Sequence, residues 1–163
     1  MKVVLYQPQI PQNTGNIVRT CSVTGSDLIL VPPLGFSTND RWLKRAGLDY
    51  WEGVHVETME AFEETLDNIP HNFYFFSSKA EKNYTDLYFT PDDWLIFGSE
   101  TTGLPPHFQD RWPDKFATIP MIPNARCLNL ATSVGIVVYE AWRQNEFERH
   151  KAEGKGQNLE AKG

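Results

Sequence analysis

The chain has 163 residues, a size that suits one compact domain, and its 40% hydrophobic and 22% charged content is ordinary for a globular protein. No apolar run is long enough to cross a bilayer, and the opening MKVVLYQPQIPQ lacks the layout of a secretion signal, so a cytoplasmic location is expected. The net charge of −6 argues mildly against a nucleic-acid partner, but the acid is concentrated: residues 51–120 carry thirteen Asp/Glu against four Lys/Arg, whereas residues 121–163 carry five against six. A basic surface can therefore be assembled from the two ends of the chain, and it grows if two subunits combine theirs.

In chain order, residues 2–6 (KVVLY) read as a buried strand ended by Pro8 and Pro11. Residues 13–25 read as a helix, with Asn13 or Thr14 as N-cap and Gly25 as the stop. Cys21 lies on its apolar side and belongs to the core. Residues 27–31 (DLILV) form a second strand closed by Pro32 and Pro33. A short helix is expected at 41–46 and a short strand at 54–57. Thr58 can cap a helix over 59–68, where Glu60, Glu63 and Glu64 favour the early turns. Apolar runs of strand length follow at 73–77, 94–97 and 116–119. Residues 130–146 form a long helix with a wide apolar face. From Glu148 the chain is polar and rich in Gly, Lys and Glu, so a single domain over 1–147 and a disordered tail over 148–163 are expected. Strands that alternate with helices and are apolar almost throughout predict an α/β fold, a mostly parallel sheet with helices on both faces. Ligands on such sheets bind at the carboxyl ends of the strands.

Three segments carry candidate chemistry. Asn13-Thr14-Gly15-Asn16-Ile17-Val18-Arg19 follows the first strand; its glycine permits close backbone approach and its helix N-terminus favours an anion, although an ordinary strand–helix junction with a solvated Arg19 reads equally well. Gly98-Ser99-Glu100-Thr101-Thr102-Gly103-Leu104-Pro105 leaves a buried strand and holds one acid, Glu100, placed to accept hydrogen bonds; it has neither dinucleotide-fold nor P-loop spacing. Residues 119–129 form a Pro-stiffened loop that feeds the long helix through Asn129, a good N-cap. The two cysteines, Cys21 and Cys127, belong to no Cys/His array, and no cluster has metal-ligand spacing, so no metal is expected.

In this order and spacing the three segments, with Tyr6-Gln7-Pro8 and Arg45-Ala46-Gly47-Leu48-Asp49-Tyr50, resemble the SPOUT class of RNA methyltransferases, most closely its small single-domain tRNA wobble-ribose members. The resemblance covers about residues 2–146. It implies an α/β sandwich whose C-terminal part forms a deep trefoil knot, which no hydrophobic pattern reveals. It further implies methyl transfer from S-adenosylmethionine to the ribose 2′-hydroxyl of the wobble nucleotide in a tRNA anticodon loop, by a homodimer. Phe76, Gly98, Ile119, Cys127 and Leu128 match the positions that bind the methyl donor, largely through backbone groups. Arg19 matches the key catalytic residue, with Asn13, Glu100 and Asn129 as its companions. Arg41, Lys44 and Arg45, near Trp42, form a basic cluster suited to an RNA backbone. The chain departs from the family in carrying Cys127 where Ser is expected, Thr102 where Arg or Lys is common, and Ala131-Thr132-Ser133 where wobble-specific members often read Ser-Asn-Ala. Three other readings stand beside this one: a 2′-O-methyltransferase for another tRNA or rRNA site, a catalytically silent RNA or nucleotide binder, and a flavodoxin-like nucleotide binder.

Overall fold

The computed structural model describes residues 1–37 and 53–148. Six strands, β1 (Lys2–Tyr6), β2 (Asp27–Val31), β3 (Val56–Thr58), β4 (Phe73–Phe76), β5 (Trp94–Phe97) and β6 (Phe116–Ala117), lie in the order β3-β2-β1-β5-β4-β6. Every pairing within this sheet is parallel, as the unbroken apolar strands predict. Alternate side chains of each strand feed different cores. Val3, Leu5, Leu28, Leu30, Leu95 and Phe97 pack with the helices α1 (Pro11–Thr24) and α4 (Leu130–Gln144) on one face. Val4, Ile29, Val31, Phe73, Phe75 and Ile96 pack with Phe62 and Leu66 of α2 (Phe62–Asn68) and Phe108 of α3 (Pro106–Arg111) on the other. The period-2 alternation of strand side chains thus produces the α/β/α layering. The second core is largely aromatic: Phe75 stacks on Phe116 at 4.8 Å and lies 5.3 Å from Phe108.

Several boundaries differ from the sequence reading, each for a local reason. Helix α1 starts at Pro11, not at residue 13, because proline's fixed φ suits a first turn. Its N-cap residue is Ile10, which makes no side-chain cap, so Asn13 and Thr14 lie inside the helix. Gly25 does end it, in the left-handed region at φ 70°. Thr58 caps no helix; it is the last residue of β3 and pairs with Leu30, and α2 begins three residues after the expected start at 59. Strand β6 stops at Ala117 because the Thr118 backbone turns to the 77–93 connection, donating to the Lys82 carbonyl and accepting from the Tyr84 N–H. Helix α4 stops at Gln144, and Glu146 and Phe147 follow in the left-handed region. Helix α3 was absent from the sequence reading, since six residues behind a Pro-Pro step carry too little periodicity. The expected helix at 41–46 and the tail beyond Glu148 lie outside the described residues.

Candidate active site

The strand order reverses between β1 and β5, which pair in the middle of the sheet while the chain runs outward from each. At their carboxyl ends the two following loops diverge, the place where open α/β sheets bind ligands. The loop after β5 is held closed by reciprocal backbone bonds: Ser99 N–H donates to the Gly103 carbonyl at 3.2 Å and Gly103 N–H to the Ser99 carbonyl at 2.9 Å. Two glycines make this possible. Gly103 sits at φ 66°, and a Cβ on Gly98 would lie 2.5 Å from the Gly103 carbonyl carbon, closer than any side chain tolerates.

That loop delivers Glu100 to the loop after β1. Its carboxylate accepts from Gln9 N–H at 2.8 Å, from Ile10 N–H at 3.1 Å and from Asn13 Nδ2 at 3.2 Å. The negative charge therefore sits at the positive end of α1. Asn13, only 6% exposed, in turn accepts at Oδ1 from Asn129 Nδ2 at 3.0 Å. Asn129 completes the relay by capping α4, its Oδ1 accepting from Ala131 N–H at 2.9 Å and Thr132 N–H at 3.4 Å. A carboxylate can only accept and a helix N-terminus can only donate, so one orientation of each amide satisfies the whole chain. Glu100, Asn13 and Asn129, expected to share a site, are joined directly, with Glu100 bracing loops.

Beside this relay opens a cleft of about 600 Å³. Phe76, Gly98, Ile119, Cys127 and Leu128 all line it, together with Asn13, Glu100 and Asn129. The rings of Phe76 and Phe97 stack at 5.0 Å at its base. Cys127 Sγ stands 3.7 Å from Ser78 Oγ, so the loop before α4 meets the loop after β4 across the cleft. Ser77, Ser78, Lys79 and Thr118 also line it and were not singled out from sequence; their position just after strand ends is the signal that could have found them. Among the described residues that line it, Glu100 is the only carboxylate and Lys79 the only cation. Arg19 is exposed on α1 and is not among the residues that line its own chain's cleft. Arg41, Lys44 and Arg45 lie outside the described residues. Cys21 is buried on the inner face of α1, and burial pushes its thiol up to about 12, so it is inert core. Among the described residues, no group of three His, Cys, Asp or Glu side chains is placed to hold a metal ion.

Residues 1–139 match the SpoU rRNA Methylase family. The chain belongs to that family. A tRNA (cytidine(34)-2′-O)-methyltransferase of Methylovorus glucosotrophus is 44% identical over 147 residues, covering 89% of this chain and 96% of its own. A solved structure presented as giving insight into the 2-OH methylation of C/U34 on tRNA superposes with a TM-score of 0.83 at 41% identity, over 90% of this chain and 97% of its own. An AdoMet-bound rRNA methyltransferase from Sinorhizobium meliloti aligns at 26% identity with a TM-score of 0.77, covering 87% of this chain and 55% of its own. The parallel sheet and its flanking helices are therefore those of a SpoU methylase, and the relay and cleft occupy its strand carboxyl ends.

Proposed function

We propose that this chain is a tRNA 2′-O-methyltransferase that moves a methyl group from S-adenosylmethionine to the ribose 2′-hydroxyl of nucleotide 34, a cytidine or modified uridine, in the anticodon loop. The observation that carries it is the Glu100–Asn13–Asn129 relay bordering the cleft, in a chain 44% identical over most of its length to a relative named for this reaction.

The cleft suits the donor in size and chemistry. Its volume falls within the usual range for small-molecule sites, Phe76, Ile119 and Leu128 provide apolar wall for an adenine, and the end of β5 at Gly98 and the loop at Cys127 provide backbone polar groups. When bound, S-adenosylmethionine supplies a methyl group on a positively charged sulfur, already activated for displacement. No metal is required in this scheme. The protein's part is alignment and charge. Glu100 and Asn129 hold the walls of the cleft in register through Asn13. A guanidinium is a poor proton acceptor and a good bidentate donor, so the role of Arg19 is to grip an RNA phosphate and set positive potential near the 2′-oxygen, with the phosphate or a water taking the proton.

Arg19 does not line its own cleft, so a homodimer in which it reaches the partner's cleft is part of this proposal. Apolar surface supports the pairing: Val23 on α1 is 56% exposed and Tyr139 on α4 is 46% exposed. The knotted path is likewise part of the reading. Between β4 and β5, residues 77–93 cross the end of α4, where Phe89 N–H donates to Gln144 Oε1 and Gln144 Nε2 donates to the Leu87 carbonyl. A single domain over 1–147, acting in the cytoplasm with tRNA as its macromolecular partner, completes the proposal; no helix among the described residues is long and apolar enough to cross a membrane.

The direct test is ribose-methylation mapping of cellular tRNA with and without the protein. Loss of one 2′-O-methyl mark at nucleotide 34 supports the assignment. An unchanged nucleotide 34 with a mark lost elsewhere in tRNA or rRNA replaces the substrate and keeps the chemistry.

A further inference from the structure

We infer that Lys79 and Arg126 form a two-point clamp for the RNA sugar-phosphate backbone at the lip of the donor cleft, an inference that rests on the RNA-methylating function proposed above. The argument starts from charge. The protein is acidic overall, with 21 Asp/Glu against 15 Lys/Arg, so a polyanion can bind only where cations stand apart from carboxylates. Four other cations of the described surface are occupied. Arg111 pairs with Asp67, Arg143 pairs with Glu140, and Lys115 lies over the Phe73 and Tyr74 rings. The Lys2 ammonium lies over the Trp94 ring, 5.6 Å from its centroid.

Lys79 and Arg126 are differently placed. Lys79 is exposed and is the sole cation among the described residues that line the cleft. Its loop position is set by its own N–H, which donates to Ser77 Oγ at 3.3 Å. The 3.7 Å contact between Ser78 and Cys127 brings the opposite loop against it. Arg126, exposed, precedes Cys127 in that loop, so each cation is one residue from the point where the two loops touch. The second loop is stiffened by Pro120 and Pro123 and turned by Asn124 at φ 61°, with Ala125 N–H donating to the Ile122 carbonyl at 3.3 Å. Carboxylates are sparse around the lip. Residues 115–139 contain no Asp or Glu, and Glu100 is turned to Gln9, Ile10 and Asn13. In the 77–93 connection Glu81 is the acid next to Lys79 in sequence, and Asp86, Asp92 and Asp93 lie further along. A lysine and an arginine on two touching loops at the edge of a small-molecule cleft offer two cationic contacts to the backbone of a single strand whose ribose lies over the cleft.

The experiment compares wild-type full-length protein with Lys79→Gln/Arg126→Gln and with a control of equal charge loss away from the cleft, Lys2→Gln/Lys115→Gln. The probe is an anticodon stem-loop RNA. Affinity is measured across a salt series, and S-adenosylmethionine affinity is measured separately by calorimetry. The clamp predicts that the Lys79/Arg126 variant loses about tenfold or more in RNA affinity and that its log–log salt slope falls by about 1.4, two single-strand contacts at ~0.7 each. Donor affinity and the control variant's RNA affinity stay within about twofold of wild type. RNA affinity and slope unchanged in the Lys79/Arg126 variant overturn the clamp, as does an equal loss in the control. A drop in donor affinity with RNA binding intact also overturns it, assigning the pair to the donor's carboxylate. Wild-type protein that binds no RNA overturns the proposed function itself, a result distinct from the others.

Discussion

Asn129 donates from Nδ2 to Oδ1 of Asn13 across 3.0 Å, although 116 residues separate them. That one bond connects the first helix of the chain to the cap of the last, and through Asn13 it reaches Glu100 on the loop after β5. Three segments that are unrelated in sequence position are thereby held as one rigid frame around the cleft.

The frame predicts an unusual result for Asn129→Asp. Aspartate caps a helix as well as asparagine does, so the start of α4 is preserved. It cannot donate to Asn13, and turning the Asn13 amide to compensate would set its oxygen against Glu100. Urea denaturation is expected to show a loss of about 1–3 kcal/mol, the cost of a buried polar atom left without its partner. Unchanged stability would show that the amide pair contributes nothing beyond the cap.

Gly98 is predicted to tolerate no side chain. A methyl group there meets backbone atoms of Gly103 and Leu104 at 2.5 and 2.7 Å, so the loop carrying Glu100 must move. Gly98→Ala is expected to cost about 1–3 kcal/mol in stability and at least tenfold in donor affinity, read by thermal denaturation and calorimetry. Wild-type donor affinity in this variant would detach the Gly98 loop from the donor site.

The two thiols should differ sharply. Cys127 is exposed and lines the cleft, whereas Cys21 is buried with its pKa pushed up to about 12 by desolvation. At pH 8 an aromatic disulfide reagent should label one thiol in the native protein and two after denaturation, with S-adenosylmethionine slowing the native reaction. Cys21 also sets a sign at high pH. Its folded pKa is raised, so the unfolded chain releases this proton first, and stability falls as pH rises from about 9 to 12, by up to about 1.4 kcal/mol per pH unit. Native labelling of both thiols would contradict the burial of Cys21, and donor-insensitive labelling of Cys127 would exclude it from the donor site.

Most of this architecture was readable from the residues, and the exceptions have physical causes. Strands β1, β2 and β5 matched their expected bounds because an apolar run closed by Pro or Gly leaves little freedom. Helix starts were less legible: Asn13 has the chemistry of a cap, but a partner 87 residues away recruits its side chain. The Gly-x-Glu-x-x-Gly loop marked Glu100 as a ligand-side acid, yet only the folded chain reveals that two backbone N–H groups of residues 9 and 10 occupy it. Lys79 stayed hidden because an exposed lysine after a strand has no pattern of its own; its place in the cleft comes from the register of β4 beside β5.

If Arg19 acts on the partner's cleft, dimer and activity must fail together. Tyr139→Glu or Trp142→Glu places a charge on the apolar face of α4 and is expected to give monomers by sedimentation, without methyl transfer. Arg19→Ala should remain dimeric and bind the donor while losing about 10²–10³ in turnover, the usual size of a lost transition-state charge contact. A folded monomer with full activity would place a complete site within one chain.

The most direct measurement uses purified protein, methyl-labelled S-adenosylmethionine and two anticodon stem-loop RNAs that differ only in a ribose or 2′-deoxyribose at nucleotide 34. Label should enter the ribose substrate, map to the nucleotide-34 sugar by mass spectrometry, and be absent from the deoxy substrate. Label on a base, on another nucleotide, or equally on both RNAs would contradict wobble-ribose 2′-O-methylation.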